Sequence, residues 1–369
     1  MALNINLIKY TFVCFIFPFL TPLSIKAASV DEGFDIEHIE VTSRLKKESL
    51  NKIPLSVSTF DAKEMSNASI DNINDIATNM VGFSMEKTFG RQSDIPVLRG
   101  ISWVPGFGSQ KAAYFIDGIY FNGSIQSIPT DFIERVEVIK GPQSALYGRS
   151  TFSGAINYIT KKPTSLAATY NTKLTVGENG NQIFSSSLTA QMSENLHLRG
   201  ALSFDKYQSE YKNSLNSGPN VGGEKTKSVM FSMLYALNED TDLSFNYIYN
   251  ENDDELPPFN YQGSQYNNCF LDTRSYYCGE VRNDLSIHLG GFLNKEEYGL
   301  ASSRHFMSMQ VDHRFDEIDV FFTATLTDFD STFGADQTYT GYQQVFDFTY
   351  FQSFDPDKYF MNASDWHTI

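Results

Sequence analysis

The chain of 369 residues is poor in cysteine, in tryptophan and in basic residues. It contains three cysteines and two tryptophans, and 44 acidic residues outnumber 28 basic ones, for a net charge of −16. This balance argues against nucleic acid and against an anionic membrane surface as partners. Mean hydropathy is −0.29, which excludes a bundle of membrane helices but not membrane β-strands, whose alternation leaves little trace in an average.

Catalytic motifs are absent from the sequence as well. There is no Gly-x-Ser-x-Gly turn, no phosphate-binding loop and no His-Glu-x-x-His pair. The six histidines are scattered, and the turn at residues 148–150 has no His and Asp partners in a suitable context. We therefore expect no enzyme activity, no cofactor and no metal site.

Cys269 and Cys278 are the two cysteines outside the N-terminal segment, and they lie in a polar stretch between strand-like segments. In an exported protein such a pair is more often a disulfide than a metal site. Zinc would need further ligands, for which His288 and His305 are the nearest candidates. We expect a disulfide, with zinc as the alternative.

Residues 1–27 have the pattern of a secretory signal. Lys9 supplies a positive charge, an apolar segment runs from Tyr10 to Leu23, and residues 24–27 offer a cleavage site. A membrane anchor is the alternative, but the apolar segment is short for a span of about 20 residues. We expect export and removal of residues 1–27.

The region after residue 53 predicts short strands and helices. Residues 55–58 alternate as a strand, and Asp61 with Glu64 fits a capping box at a helix start. Apolar residues then recur at helical spacing as far as Gly82, a natural C-cap. These apolar residues are Ile70, Ile73, Ile76, Ala77, Met80 and Val81.

The most informative stretch is residues 131–163, DFIERVEVIKGPQSALYGRSTFSGAINYITKKP. It predicts a strand at 135–140, a Gly-Pro turn, a short helical or irregular segment closed by Gly148, and a strand at 155–160. Further strands are predicted at 95–99 and 112–120, the second interrupted by Asp-Gly. The stretch closely resembles the end of the plug domain of TonB-dependent outer-membrane receptors, as do IPVLRG at 95–100 and YFIDGIY at 114–120. This resemblance implies an α+β plug domain over residues 48–163.

The resemblance also gives a role to the tail at residues 28–47. An alternating segment within it is similar to the TonB box, the peptide with which these receptors recruit TonB and its inner-membrane ExbB–ExbD complex. The segment consists of His38, Ile39, Glu40, Val41 and Thr42. A disordered tail is the alternative, and the two are compatible before TonB binds.

After Pro163 the sequence alternates with period two in seven segments of roughly ten residues. These are 168–176, 184–192, 196–204, 229–237, 243–249, 307–314 and 320–327. Apolar residues on one face and polar residues on the other are typical of a transmembrane β-barrel. A soluble β-sandwich has the same period, but its strands average about 5–6 residues.

Connection lengths agree with a barrel. The second, fourth and sixth connections are short, and the third and fifth, 206–225 and 252–303, are long, as expected for periplasmic turns and outer loops. Barrels of the family that the chain resembles have about 22 strands, and an open edge in lipid leaves unpaired backbone groups. We therefore expect residues 164–369 to be a truncated N-terminal part of an antiparallel barrel.

The resemblance also suggests roles for individual plug residues. In this family, plug arginines pair with acidic residues on the inner barrel wall, which implies such roles for Arg99 and Arg149. Four aromatic residues in plug loops rich in Gly, Pro and Ser could face the outer vestibule and contact ligand. They are Trp103, Phe107, Tyr120 and Phe121, and packing inside the plug is the equally weighted alternative.

The function that this resemblance implies is TonB-dependent uptake of a scarce ligand across the outer membrane of a Gram-negative cell. A ferric siderophore is expected on base rate, with oligosaccharide or cobalamin as alternatives. Outer-membrane lipid would surround a monomeric barrel. A secreted soluble binding protein with a β-sandwich is the alternative from another class of protein.

Overall fold

The computed structural model describes residues 40–41, 48–49, 56–87, 90–91, 94–103, 110–121, 124–148, 150–164, 167–211, 221–257, 269–271, 274–276, 299–316, 318–334 and 366–368. Within this part of the chain, no helix has both the length and the apolar character needed to cross a membrane. The first two strands, β1 (Glu40–Val41) and β2 (Glu48–Ser49), pair with each other antiparallel.

The described part of the region predicted to be the plug, residues 48–163, contains a five-stranded mixed sheet, a separate hairpin and short helices. Its elements after β2 are β3 (Ser56–Asp61), α1 (Ala62–Asn67), α2 (Ile73–Thr78), β4 (Phe83–Lys87), β5 (Asp94–Leu98), β6 (Ala112–Ile116), β7 (Ile119–Phe121), a 3-10 turn (Thr130–Phe132), β8 (Ile133–Lys140), α3 (Ser144–Tyr147) and β9 (Gly154–Thr160). The sheet order is β3-β8-β9-β6-β7, in which β6 and β9 are parallel. Strands β4 and β5 form the hairpin.

The predicted capping box at Asp61 is confirmed. The Asp61 carboxylate accepts from the Glu64 backbone N–H at 2.7 Å, and the Glu64 carboxylate accepts from the Asp61 N–H at 3.0 Å. The helix predicted to run as far as Gly82 is shorter, because Asn72 forms a second capping box and α2 ends at the C-cap Asn79. Val81, predicted to continue the apolar spacing of the helix, is therefore outside the helix and 92% exposed. That part of the prediction is wrong.

A two-residue turn joins β6 to β7. Asp117 and Gly118 both have positive φ, 50° and 80°, as a tight hairpin turn with right-handed twist requires. The Asp117 carboxylate then accepts from the backbone N–H of Thr160 at 2.9 Å and from its hydroxyl at 2.7 Å. The turn is thus fixed to the end of β9.

The second part of the chain forms an eight-stranded antiparallel sheet, here called the wall. Its strands are β10 (Thr169–Val176), β11 (Gln182–Ser193), β12 (Leu196–Tyr207), β13 (Glu224–Asn238), β14 (Thr241–Asp254), β17 (Gly299–Arg314), β18 (Asp319–Gly334) and β19 (Trp366–Thr368), in that order across the sheet. Between β14 and β17, the short strands β15 (Cys269–Leu271) and β16 (Arg274–Tyr276) form a separate hairpin. All seven predicted strands are present, and six of them run for 12 to 16 residues, longer than a sandwich strand needs.

Alternation along each wall strand separates two faces. On β13 the side chains of Thr226, Ser228, Met230 and Ser232 are buried. The residues that alternate with them, at positions 225, 227, 229 and 231, face outward and are exposed. Exposed apolar residues on the outward face include Tyr170, Leu174, Val176, Leu188, Leu202, Phe204, Val229, Phe231 and Leu326. The predicted pattern of apolar outward and polar inward positions is therefore confirmed, and the fold is a plug followed by part of a barrel.

The connections define two edges of the wall. Residues 194–195 and 239–240 make short turns on one edge, the inner edge, where the Phe315 N–H also donates to the Ile318 carbonyl at 2.9 Å. The ends of β10, β12 and β14, at residues 176, 207 and 254, lie on the opposite, outer edge. This division agrees with the predicted alternation of short and long connections, with the first connection, 177–181, as the one short connection expected on the outer side.

Candidate functional site

The plug packs against the inward face of the wall, and this interface is the candidate functional site. Its apolar part is continuous with the plug core, which includes Ile73, Ile76, Tyr114 and Tyr158. Four buried wall side chains join the same cluster: Ala201, Met230, Ile248 and Phe306. The plug and the wall therefore share one hydrophobic core.

Arg91 carries the main polar contact near the outer edge. Its guanidinium binds both carboxylate oxygens of Asp254 at the end of β14, with Nε 2.8 Å from Oδ2. It also donates to the Thr226 hydroxyl at 2.5 Å and to the Lys225 carbonyl at 3.1 Å. Glu224 is 3.8 Å from Nε. A planar guanidinium suits such bidentate contact with a carboxylate.

The Arg91–Asp254 pair is buried on both sides, with 5% and 6% of the two side chains exposed. Burial by itself would lower the pKa of Arg91, but the carboxylates of Asp254 and Glu224 more than offset it, and the pKa is raised. Arg91 is therefore a permanent cation. A buried charge of this kind is costly unless it keeps its partner.

A second arginine crosses the interface in the opposite direction. Arg304 projects from β17 between two aromatic rings, with its guanidinium carbon 4.3 Å from the centre of Phe121 and 4.1 Å from that of Phe329. Phe121 belongs to the plug and Phe329 to the wall. Phe121 also contacts Phe306 edge-on, at a centroid distance of 5.8 Å. These contacts lock the end of β7 against the wall.

Polar contacts in the middle of the interface are single hydrogen bonds. The Asn250 amide donates to the Ser127 carbonyl at 2.9 Å, and the Asn246 amide lies 3.4 Å from the Asp117 carboxylate. Each of these asparagines is an inward position of β14. They explain why a strand with apolar outward residues carries amides on its other face.

Another group of contacts lies where the plug leads into β10. Lys173 donates to Asp71 at 2.6 Å, and Ser185 donates to the Asp131 carboxylate at 2.6 Å. Lys161 and Arg199 both donate to the Asp131 carbonyl, at 3.0 and 3.5 Å. Burial and then the neighbouring charge of Arg199 lower the pKa of Lys161. Lys173 is 38% exposed, so solvent screens this end more than it screens Arg91.

Of the two plug arginines predicted to pair with the wall, only Arg99 is among the described residues. Arg99 is exposed, at a φ of 53°, and its side chain passes beside Gly141. Among the described residues, it has no ion pair with the wall. Arg149 lies outside the described residues, so its predicted pairing stays a prediction.

The four aromatic residues predicted to face ligand differ in their exposure to solvent. Phe121 is only 2% exposed, because Arg304 and Phe306 cover its ring, and this burial agrees with the alternative of internal packing. Tyr120, its neighbour on β7, is 41% exposed and contacts Phe115 edge-on. Trp103 is half-buried. Phe107 lies outside the described residues.

Other predicted site residues fall at the margins of the described chain. Of the predicted TonB-binding segment, Glu40 and Val41 form β1, which pairs with Ser49 and Glu48. His38, Ile39 and Thr42 lie outside the described residues. Cys269 pairs with Tyr276 in the β15–β16 hairpin, and Cys278 is outside the described part of the chain, so the disulfide stays a prediction.

Sequence reasoning missed Arg91 and Arg304. Arg91 precedes the motif IPVLRG by a few residues and has no periodic pattern around it. Arg304 was left outside the predicted strand 307–314, although it is an inward position of the longer β17. Extending the alternation by several residues toward the N-terminus would have marked Arg304 as an inward charge.

Comparison with known proteins agrees with this architecture. Residues 49–155 match the family model described as the TonB-dependent Receptor Plug Domain. The chain carries a plug domain of the TonB-dependent receptors. A vitamin B12 transporter, BtuB, from Vibrio vulnificus is 30% identical over 146 residues, which are 38% of this chain and 23% of that protein. The ferrioxamine receptor of Yersinia enterocolitica is 30% identical over 153 residues, covering 39% of this chain and 20% of that receptor.

Solved receptors share the fold over a larger part of the chain. The ferric yersiniabactin uptake receptor FyuA of Yersinia pestis has a TM-score of 0.59 at 15% identity, over 76% of this chain and 42% of that one. The ferripyoverdine receptor of the Pseudomonas aeruginosa outer membrane has a TM-score of 0.60 at 17% identity, over 80% and 37%. The matches thus span less than half of the length of these TonB-dependent receptors.

Proposed function

We propose that this chain is part of a receptor that takes up a ferric siderophore across the outer membrane, driven by TonB. The observation that carries the proposal is the plug packed into the inward face of an antiparallel wall through Arg91 and Asp254. Such a plug obstructs the lumen, so uptake requires an energy source that moves it. TonB, coupled to the inner-membrane ExbB–ExbD complex, is the proposed source.

The cargo is proposed from the printed names of the related proteins. A ferrioxamine receptor, a ferric yersiniabactin uptake receptor and a ferripyoverdine receptor all handle iron chelates by name. A vitamin B12 transporter supports cobalamin as the second candidate. Oligosaccharide, considered from the sequence, has no support among these names.

The proposed location is the outer membrane of a Gram-negative cell, reached by way of a cleaved signal at residues 1–27. The exposed apolar residues on the outward face of β10 to β18 support this location, because lipid would cover them. A receptor rather than an enzyme is proposed, in line with the related transporters and receptors. A monomer is proposed because one plug packs against one wall of the same chain.

Uptake measurements test the proposal. The full-length protein is expressed in a Gram-negative strain that lacks its own siderophore receptors, and accumulation of iron-labelled hydroxamate and catecholate siderophores is measured. We expect accumulation that disappears when the tonB gene is deleted. Accumulation of labelled cobalamin instead would transfer the assignment to the second candidate, and accumulation unaffected by loss of TonB would contradict the mechanism.

Cell fractionation tests the alternative of a soluble binding protein. We expect recovery with the outer membrane, resistant to extraction by salt. Recovery in the soluble periplasmic fraction or the medium would favour a β-sandwich binding protein.

A further inference from the structure

The bases of the two long outer connections are joined to each other. Gly222 donates its N–H to the Leu256 carbonyl at 2.7 Å, and Glu255 donates to the Gly223 carbonyl at 2.8 Å. Val221 and Leu256 form a parallel bridge. Residues 221–225 and 254–257 therefore make one hydrogen-bonded unit at the outer ends of β13 and β14, here called the outer hairpin base.

The plug contacts this outer hairpin base through two consecutive residues. Arg91 binds Asp254, the Lys225 carbonyl and Thr226, while the Lys225 N–H donates to the same Asp254 carboxylate at 3.2 Å. Gly90 has φ +60°, and a Cβ there would lie 2.9 Å from Pro257 Cγ. Only glycine fits both the backbone conformation and the space.

Asp254 is itself held in place by the next strand. Asp254 pairs with Leu300 of β17, and the preceding residue, Gly299, approaches so closely that a Cβ on it would lie 1.9 Å from the Asp254 carbonyl oxygen. The backbone of Asp254 is thus paired with β17 and closely approached by it. Arg91 therefore binds a carboxylate whose position is already fixed by the wall.

Downstream of Arg91, the plug strand β5 begins at Asp94. The carboxylate of Asp94 accepts hydrogen bonds from three consecutive residues that precede the 3-10 turn. It accepts from the Ser124 hydroxyl at 2.6 Å and from the Ile125 N–H at 3.1 Å, and it also accepts from the Gln126 amide. Asp94 lies three positions after Arg91 in the sequence, and its negative charge contributes to raising the pKa of Arg91. The outer hairpin base is in this way connected to the interior of the plug.

We propose that Arg91 is a positioning residue that fixes the outer hairpin base to the start of β5, so that the base and the plug move as one body. The consequence for transport rests on the proposed receptor function: a ligand that displaces the outer hairpin base also displaces Asp94 and the loop it holds. The positioning itself is independent of the cargo, so it is tested without ligand.

Hydrogen exchange of the full-length protein in detergent, measured by mass spectrometry, tests the inference. The variants are Arg91→Gln, Arg91→Lys and the control Lys173→Gln, which removes the ion pair with Asp71 at the other group of contacts. Because breaking a buried ion pair leaves an uncompensated charge, we expect Arg91→Gln to speed exchange of the amides at 222, 223, 225 and 255 by about tenfold or more. Exchange in the centre of β13 should not change.

The remaining variants separate positioning from general loss of structure. Arg91→Lys keeps the positive charge but not the planar guanidinium that binds both carboxylate oxygens of Asp254. It should give an intermediate increase in the exchange rate of these amides, and it serves as the test if Arg91→Gln does not fold. Lys173→Gln should leave the same four amides within about twofold of the original protein. Unchanged exchange in both Arg91 variants, or an equal increase in Lys173→Gln, would overturn the proposal. A failure of siderophore uptake with the expected exchange pattern would contradict the proposed function alone.

Discussion

The ring of Phe121 in the plug is stacked on the guanidinium of Arg304 in the wall, with the guanidinium carbon 4.3 Å from the ring centre. Tyr120, adjacent on the same strand, points the other way and is 41% exposed. Two neighbouring aromatic residues of one short strand thus have different roles. Phe121 holds the plug to the wall, and Tyr120 is available to solvent.

Truncation of these two aromatic residues should have unequal effects. We expect Phe121→Ala to lower the free energy of unfolding by about 3–5 kcal/mol, because it leaves a cavity beside Phe306 and removes one face of the Arg304 contact. The matched control Tyr120→Ala should cost about 1 kcal/mol or less. Denaturant unfolding of the full-length protein measures the free energy of unfolding of both variants. The cleavage of plug residues by a protease reports the fraction unfolded at each denaturant concentration. Equal losses would contradict the assignment of Phe121 to the interface.

Asp117 should give the plug a pH-dependent stability. Burial raises the pKa of its carboxyl, offset in part by hydrogen bonds from Thr160 and by the charge of Lys162, and Glu134 raises it further. In the pH range between the ordinary carboxyl pKa and the raised one, the folded state binds more protons than the unfolded state. Stability therefore falls as pH rises through this range.

The variant Asp117→Asn tests this directly. Asparagine tolerates the positive φ of the turn and cannot ionise. As pH rises from acid to neutral, the original protein should lose the stability contributed by the protonated Asp117, whereas Asp117→Asn should not. The free energy of unfolding of the variant should therefore increase relative to that of the original protein. Unfolding curves at several pH values measure the difference. A difference that does not depend on pH would show that Asp117 does not titrate in this range.

The segment 38–42 should recruit TonB by adding a strand. Such pairing uses backbone hydrogen bonds, so most side-chain changes in the segment should be tolerated. Val41→Pro removes a donor and fixes φ, and it should abolish TonB-dependent uptake while leaving ligand binding at the cell surface intact. Val41→Thr is the matched control and should transport normally. Normal uptake by Val41→Pro would contradict the assignment.

Cys269 and Cys278 should form a disulfide. The closed loop is about ten residues, for which the chain-entropy model gives a stabilisation of about 2.5–3 kcal/mol. The bond would link the β15–β16 hairpin, in which Cys269 pairs with Tyr276, to the residues that follow it. Mass spectrometry of the non-reduced protein should find the linked peptides. Two free thiols, or bound zinc, would contradict this prediction.

Local structure was predicted from the sequence wherever it depends on neighbouring residues. The capping box of Asp61 and Glu64 was predicted because its partners are three positions apart. The inward and outward faces of β13 and β14 were predicted because alternation in a strand is a property of the backbone. By contrast, the helix end at Asn79 was missed, because Met80 and Val81 continue the helical spacing while the chain has already turned.

The sequence by itself thus determined the plug motifs, the strand faces and the difference between short and long connections. Only the tertiary structure decided which residues meet across the interface. Arg91 and Asp254 are 163 positions apart, and their contact depends on how the plug is placed inside the wall. For the same reason alternation puts Tyr120 and Phe121 on opposite faces of β7, but the wall decides which of the two is buried. Local periodicity specifies the faces of a strand, whereas the partner of each face is set by packing between distant segments.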